Sequence, residues 1–127
     1  MILLDTHVFL WLQGMPTRLG HLCRALIERA PAVYVSAVSR VEVEVKTLTG
    51  RLVLPGGVFD DLPGQGFVEL PFTHTHAAAL PALPDSLSRH DPFDRMLLAQ
   101  AATEGLTFVT ADRRLLGLGV AVHDASR

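Results

Sequence analysis

Short apolar runs alternate with helix-patterned stretches along this chain, and nothing else in the sequence limits its fold so strongly. "ILL" (2–4), "AVYVSA" (32–37), "FVELPF" (67–72), "LTFVT" (106–110) and "VAV" (120–122) read as strands. Between them the spacing predicts helices over His7–Leu12, Arg18–Arg29 with Leu19, Leu22, Leu26 and Ile27 on one side, and a stretch carrying Val38, Val41, Val45 and Leu48 that Gly50 stops. "THTHAAALPAL" (73–83) reads as a short helix that Thr73 caps and Pro81 disturbs, and Phe93–Glu104 as a longer one with Phe93, Met96, Leu97 and Ala101 on one face, ended by Gly105. "ADRRLLGL" (111–118) is a helical turn or two. Leu54–Gly66, with two prolines and four glycines, reads as a loop with one turn near Val58–Leu62, and Pro84–His90 as a surface loop. Strands that alternate with helices in this way predict an α/β fold with a mostly parallel sheet of about five strands.

A chain of 127 residues suits one domain, 1–127. Its 49% hydrophobic and 19% charged residues are those of an ordinary soluble protein, and no apolar run approaches the ~20 residues of a membrane span. The apolar N-terminus carries Asp5 and has neither the basic start nor the cleavage site of a signal peptide, so it belongs to the fold. Cys23 stands alone, which excludes an intramolecular disulfide and points to the reducing cytoplasm. A net charge of −2 lacks the basic excess usual for nucleic-acid binding. Ten of the eleven basic residues are arginines, with Lys46 the lone lysine; guanidinium forks suit phosphate, although a GC-rich genome also enriches arginine.

In open α/β sheets ligands bind outside the carboxyl ends of the strands. Asp5 follows the first strand directly and Asp112 follows the fourth after Ala111, so both acids belong at that edge. Glu42 sits early on the helix after the second strand; Glu44 points nearly the opposite way, and only one of the two can face the site. Asp94 occupies the first turn of its helix if Asp91 is the cap and Pro92 the first residue. Each acid also has a plain structural reading: Asp5 as an N-cap, Glu42 in a capping box with Ser39 unless Ser36 is the cap, Asp94 favouring the helix dipole, Asp112 capping the "RRLL" turn. Taken together, four elements deliver one acid each to one sheet edge. Carboxylates so gathered repel unless a cation lies among them. Oxygen donors without convergent cysteine or histidine favour Mg²⁺ or Mn²⁺, and such a site suits phosphodiester hydrolysis by a water whose pKa the metal lowers.

"MILLDTHVFLWL" with Asp5, "VSAVSRVEVEVK" with Glu42, "HDPFDRMLLAQA" with Asp94 and "LTFVTADRRL" with Asp112 together resemble a PIN-domain protein of the VapC type, the toxin of a toxin–antitoxin pair. The resemblance spans nearly the whole chain. It implies a three-layer α/β/α fold, Mg²⁺- or Mn²⁺-dependent endoribonuclease activity on RNA, homodimerisation, and inhibition by a cognate antitoxin that inserts an arginine into the acidic pocket. It maps catalytic and metal-binding roles onto Asp5, Glu42, Asp94 and Asp112, with Thr110 as a polar residue nearby. The chain departs from similar proteins at Val41, where an aromatic residue often precedes the glutamate; this leaves Glu44 as a rival. Contacts to RNA phosphate are expected from Thr110, Arg95, Arg113 and Lys46, with Arg40 a further candidate, each weighed against a solvated arginine that pairs a neighbouring acid. His7 reads as a helix-packing histidine beside Asp5, Trp11 as a core or dimer contact, and His74 and His76 point different ways without a metal. The alternative that keeps the fold but drops catalysis is an RNA- or partner-binding PIN scaffold. A dehalogenase-like phosphatase would want an aspartate where His7 stands, and a receiver domain a lysine near the end of the chain.

Overall fold

Strand β1 (Ile2–Leu4) is the middle of five, and its three residues are buried on both faces, as a continuous apolar run in a parallel sheet requires. The computed structural model describes residues 1–85, 91–117 and 121–127. The sheet runs β3-β2-β1-β4-β5, with β2 Val33–Ser36, β3 Val68–Leu70, β4 Thr107–Thr110 and β5 Val122–Asp124, and all four pairings are parallel. The chain builds outward from β1 to β3, then returns to place β4 on the other side of β1. Strand order therefore reverses between β1 and β4, the place where an open parallel sheet forms a ligand crevice.

The period-two alternation of the strands divides the core. Ile2, Leu4, Val33, Val35 and Val109 face α1 (Thr6–Gly14), α2 (His21–Arg29) and the 52–67 segment, where Phe9 packs on Phe59 and Phe67. Leu3, Leu70 and Phe108 face the opposite layer, with Leu97, Leu98 and Ala101 of α5 (Pro92–Glu104). The three-layer α/β/α sandwich expected from the sequence is thus what forms. The expected loop at 84–90 lies outside the described residues from 86 onward. The fifth strand begins at Val122, later than expected, and Val120 is also outside the described residues.

Two helices differ from their sequence pattern. Residues 16–18 form a separate 3-10 turn, and α2 starts at His21, because the chain must stay extended at Leu19 and Gly20 to meet the C-terminal segment. The Arg127 main-chain oxygen accepts the Leu22 and Cys23 N–H groups, and a Cβ on Gly20 would lie 2.1 Å from the Arg127 carbonyl carbon. Leu22 consequently faces solvent at 62% exposure. On α3 (Ala37–Leu48) the expected apolar face divides: Val38 is buried, whereas Val41, Val45 and Leu48 are 51%, 36% and 88% exposed, and Val43, outside that pattern, is buried instead. The helix rotates to point Glu42 inward, and Val41, Val45 and Leu48, spaced at i, i+4, i+7, become an outward stripe.

Buried polar groups tie the layers together. The Gln100 amide oxygen accepts from the Ser36 hydroxyl at 2.5 Å and its nitrogen donates to the Pro71 carbonyl at 3.3 Å, joining α5 to the ends of β2 and β3. The short helix α4 (His74–Ala78) is capped by Thr73, with His76 in the place that glutamate takes in most capping boxes. His76 Nδ1 accepts the Thr73 N–H, so its Nε2 is the nitrogen that donates to Glu104 of α5 at 2.8 Å.

Candidate active site

Asp5, Glu42, Asp94 and Asp112 line one cleft of about 270 Å³ at the carboxyl ends of β1 and β4, together with His7, Trp11, Lys46, Asp91, Ala111 and Arg114. A larger cavity of about 320 Å³ lies beside β2 and β3 and contains none of the four acids. The acidic cleft is the one that coincides with the strand-order reversal.

Asp5 ends β1, where its N–H still extends the ladder to the Val109 carbonyl at 2.9 Å. The chain then turns into α1, and the Asp5 Oδ1 caps that helix by accepting the Thr6 N–H at 2.7 Å. Its Oδ2 accepts the Thr110 hydroxyl at 2.6 Å. A carboxylate has about four acceptor positions, so capping does not exhaust it. The structural and the functional readings of Asp5 are therefore compatible. Burial raises its pKa, with Glu42 adding to the shift, while Thr110, His7 and the Thr6 N–H oppose it.

Glu42 is buried. Ser36, not Ser39, caps α3 by accepting the Val38 N–H at 2.9 Å, which frees Glu42 from a capping box. Its Oε1 accepts the Thr6 hydroxyl at 2.7 Å, its Oε2 is paired with Lys46 one turn along, and Ser39 stands 2.9 Å from the same Thr6 hydroxyl. Glu44 is exposed, within 3.9 Å of Arg40, and absent from the cleft. Between the two glutamates the structure selects Glu42.

Asp91 caps α5 through the Phe93 N–H at 2.9 Å, and Pro92 occupies the first helical position. This fixes Asp94 one turn in, on the cleft side. Burial, followed by Asp5, Glu42, Asp91 and Asp112, pushes its pKa up to about 7. Asp112 caps a 3-10 turn, Arg113–Leu115, and both its oxygens are gripped by Arg114: Nε to Oδ1 at 3.0 Å and Nη2 to Oδ2 at 2.8 Å.

Several sequence expectations need correction. Thr110 is fully buried and absent from the cleft lining, with its hydroxyl donating to Asp5 and accepting the Asp112 N–H at 3.0 Å, so in this structure it orients two acids. Arg95 and Arg113 are absent from the cleft lining, as is Arg40, which sits over Phe59 on the far side of α3. A helix turns ~100° per residue, and that rotation carries Arg95 off the face that holds Asp94. Lys46 does line the cleft. His7 is exposed at the rim rather than packed in a helix, and Trp11 lies beside it under the Arg18 guanidinium. The sequence reading missed Thr6 and Arg114. The signal for Thr6 was its place next to a capping acid; Arg113 and Arg114 are adjacent and only the fold distinguishes them.

The PIN-domain family model matches residues 2–120, a span that contains all four acids. The chain belongs to the PIN-domain family. Among curated proteins, ribonuclease VapC22 of Mycobacterium tuberculosis is 34% identical over 116 residues, covering 90% of this chain and 88% of the relative, which places this PIN domain with the VapC type. VapBC2 of Rickettsia felis, solved with a promoter DNA fragment, has a TM-score of 0.70 at 13% identity, over 98% of both chains. FitAcB of Neisseria gonorrhoeae has a TM-score of 0.65 at 24% identity, again over 98% of both. At such identities these structures establish the PIN fold alone. No helix among the described residues is long and apolar enough to cross a membrane.

The donor chemistry of this PIN domain fits a hard divalent cation, since its four acids offer only oxygen. Among the described residues no group of three histidine, cysteine, aspartate or glutamate side chains is already close enough to hold an ion. Lys46 and Arg114 occupy two of the acids instead. That is compatible with Mg²⁺, which keeps several waters and binds through one or two carboxylates together with substrate phosphate.

Proposed function

We propose that this PIN domain is a Mg²⁺- or Mn²⁺-dependent endoribonuclease that acts in the cytoplasm as the toxin of a toxin–antitoxin pair. The observation that carries the reading is the convergence of Asp5, Glu42, Asp94 and Asp112, from four separate elements, on one cleft in which burial first, and then the neighbouring acids, push the Asp94 pKa up to about 7. Such crowding is costly in a protein without a cation to relieve it. The 34% identity to a protein named a ribonuclease supports RNA as the substrate class.

In this reading Asp5 and Asp94 hold the ion, assisted by Glu42 and Asp112. When bound, the ion supplies a water nucleophile at neutral pH and stabilises charge on the scissile phosphate. Thr110 and Thr6 keep the Asp5 and Glu42 carboxylates aimed into the cleft. Lys46 offsets the charge of Glu42 and stands close enough to the acids to meet a phosphate.

Solved relatives are toxin–antitoxin complexes, such as that from Klebsiella pneumoniae. A cleft this acidic would accept a basic side chain from a partner protein, which supports a cognate antitoxin here. The outward stripe of Val41, Val45 and Leu48 on α3 supports a homodimer, because exposed apolar residues at helical spacing mark a surface for association. The second reading keeps the fold and drops the catalysis: a PIN scaffold that binds RNA or a partner protein.

One experiment separates the two. Purified protein should cleave structured RNA only with Mg²⁺ or Mn²⁺, and Asp5→Asn or Asp94→Asn should abolish cleavage in a folded domain. Expression of the wild type alone should arrest growth while Asp5→Asn should not. Cleavage in EDTA, or full activity in both variants, would defeat the metal mechanism; RNA binding without any cleavage would establish the scaffold.

A further inference from the structure

Among the described residues, Lys46 and Arg114 line the acidic cleft, and they are held differently. Lys46 is mostly buried, its side chain 21% exposed, and it pairs with the nearly inaccessible Glu42 within one helix. Arg114 is 71% exposed, reaches the cleft from the turn after β4, and places a planar fork across both Asp112 oxygens. It also lies in the field of Asp94. The guanidinium side of this pair is open to solvent although Asp112 itself is 22% exposed, so the side chain has room to change partners, and its fork suits carboxylate and phosphate equally.

Asp112 does not depend on the guanidinium for its orientation. Its Oδ1 also accepts the Arg114 main-chain N–H at 3.0 Å, and its own N–H donates to Thr110. The side chain of Arg114 can therefore leave while the turn stays formed. Without a cation, the fork covers the oxygens that Asp112 would offer to one.

We propose that Arg114 is an exchangeable counterion of the acidic cleft: its guanidinium neutralises Asp112 in the metal-free protein and transfers to a substrate phosphate when a divalent cation takes the acids. This rests on the metal-dependent reading of the cleft. Arg114 then acts twice, as a competitor for the ion's ligand and as the phosphate contact that Arg95 and Arg113 are not placed to make. Lys46, held in the wall of the cleft by its pairing with Glu42, has less freedom to change partners.

The test compares wild type with Arg114→Ala by calorimetric titration with Mn²⁺, and by fluorescence anisotropy of a labelled single-stranded RNA at several salt concentrations, with Ca²⁺ replacing Mn²⁺ to slow hydrolysis. Circular dichroism should show the variant folded, because main-chain bonds hold the turn. The variant should bind Mn²⁺ roughly two- to fivefold more tightly, the size of an exposed ion pair's effect. It should bind RNA more weakly, with the salt slope reduced by about 0.7, as for one lost contact to a single strand. Wild type that binds Mn²⁺ no differently from the variant, or more tightly, overturns the competition while leaving the metal reading intact. Unchanged RNA affinity and salt slope overturn the transfer to phosphate. Wild type that takes up no Mn²⁺ overturns the metal reading and this proposal with it.

Discussion

The Thr110 hydroxyl donates to the Asp5 carboxylate at 2.6 Å, joining residues 105 positions apart in the chain at the junction of β4 and β1. Both side chains are buried, and the bond opposes the rise in the Asp5 pKa that burial causes. Thr110→Val keeps the shape and removes the donor. Expected are a folded protein, an Asp5 pKa raised further, and nuclease activity lower by roughly 10- to 100-fold, as for other groups that orient metal ligands. Cleavage rates against pH check this: the rising limb should move to higher pH in the variant.

Asp94 gives the metal-free protein a specific pH dependence. Its folded pKa of about 7 lies above the ordinary carboxyl value of 3.8, so between these values the folded state binds more protons than the unfolded chain. Its contribution to stability is complete below the lower value and lost as pH rises through the upper one. In EDTA, the melting temperature of wild type should therefore fall relative to Asp94→Asn between pH 5 and pH 8. Mg²⁺ at pH 8 should raise the wild type and leave the variant nearly unmoved. Parallel curves for the two proteins would refute the assignment.

Asp91 and Asp94 should separate cleanly. Asp91→Ala loses an N-cap, at about 1 kcal/mol, or about 4 °C for a domain of this size, and should keep most of its activity. Asp94→Asn should be inactive yet no less stable at neutral pH without metal. Thermal melts beside cleavage assays distinguish the two, and a folded, inactive Asp91→Ala would overturn the division.

Gln100→Leu should be the most destabilising of these changes. It leaves the Pro71 carbonyl and the Ser36 hydroxyl without their buried partner, at about 1–3 kcal/mol for each group left unsatisfied. Urea denaturation should show a lower midpoint with an unchanged slope.

Leu48, at 88% exposure, is the most accessible member of the α3 stripe. If that stripe is the surface between two copies, Val45→Glu with Leu48→Glu should convert a dimer to a monomer in light scattering without lowering monomer stability. A dimer that survives the double change would place the interface elsewhere.

Much of this protein could be read from local pattern. The order of strands and helices, the parallel sheet and the caps at Asp91 and Thr73 follow from periodicity and from side chains that bond within three residues of themselves. So do the four acids at one sheet edge, since each stands within a few residues of a strand end or a helix start. Burial on one helix face was less legible. The α3 pattern predicted one apolar face, but Glu42 has to turn inward to reach Thr6, and the three valine and leucine side chains turn outward with it.

What the sequence determined by itself is which acids meet in one cleft, because acid type and position after a strand are local properties of the chain. Which arginine accompanies those acids was decided only by tertiary structure. Arg113 and Arg114 are equivalent neighbours in sequence, and Arg95 adjoins Asp94 as closely as any. The 3-10 turn that Asp112 caps directs Arg114 back over its own carboxylate, while the pitch of α5 takes Arg95 away. Direction in space depends on the accumulated rotation of the backbone between packed elements, and that rotation is fixed by the core rather than by neighbouring residues.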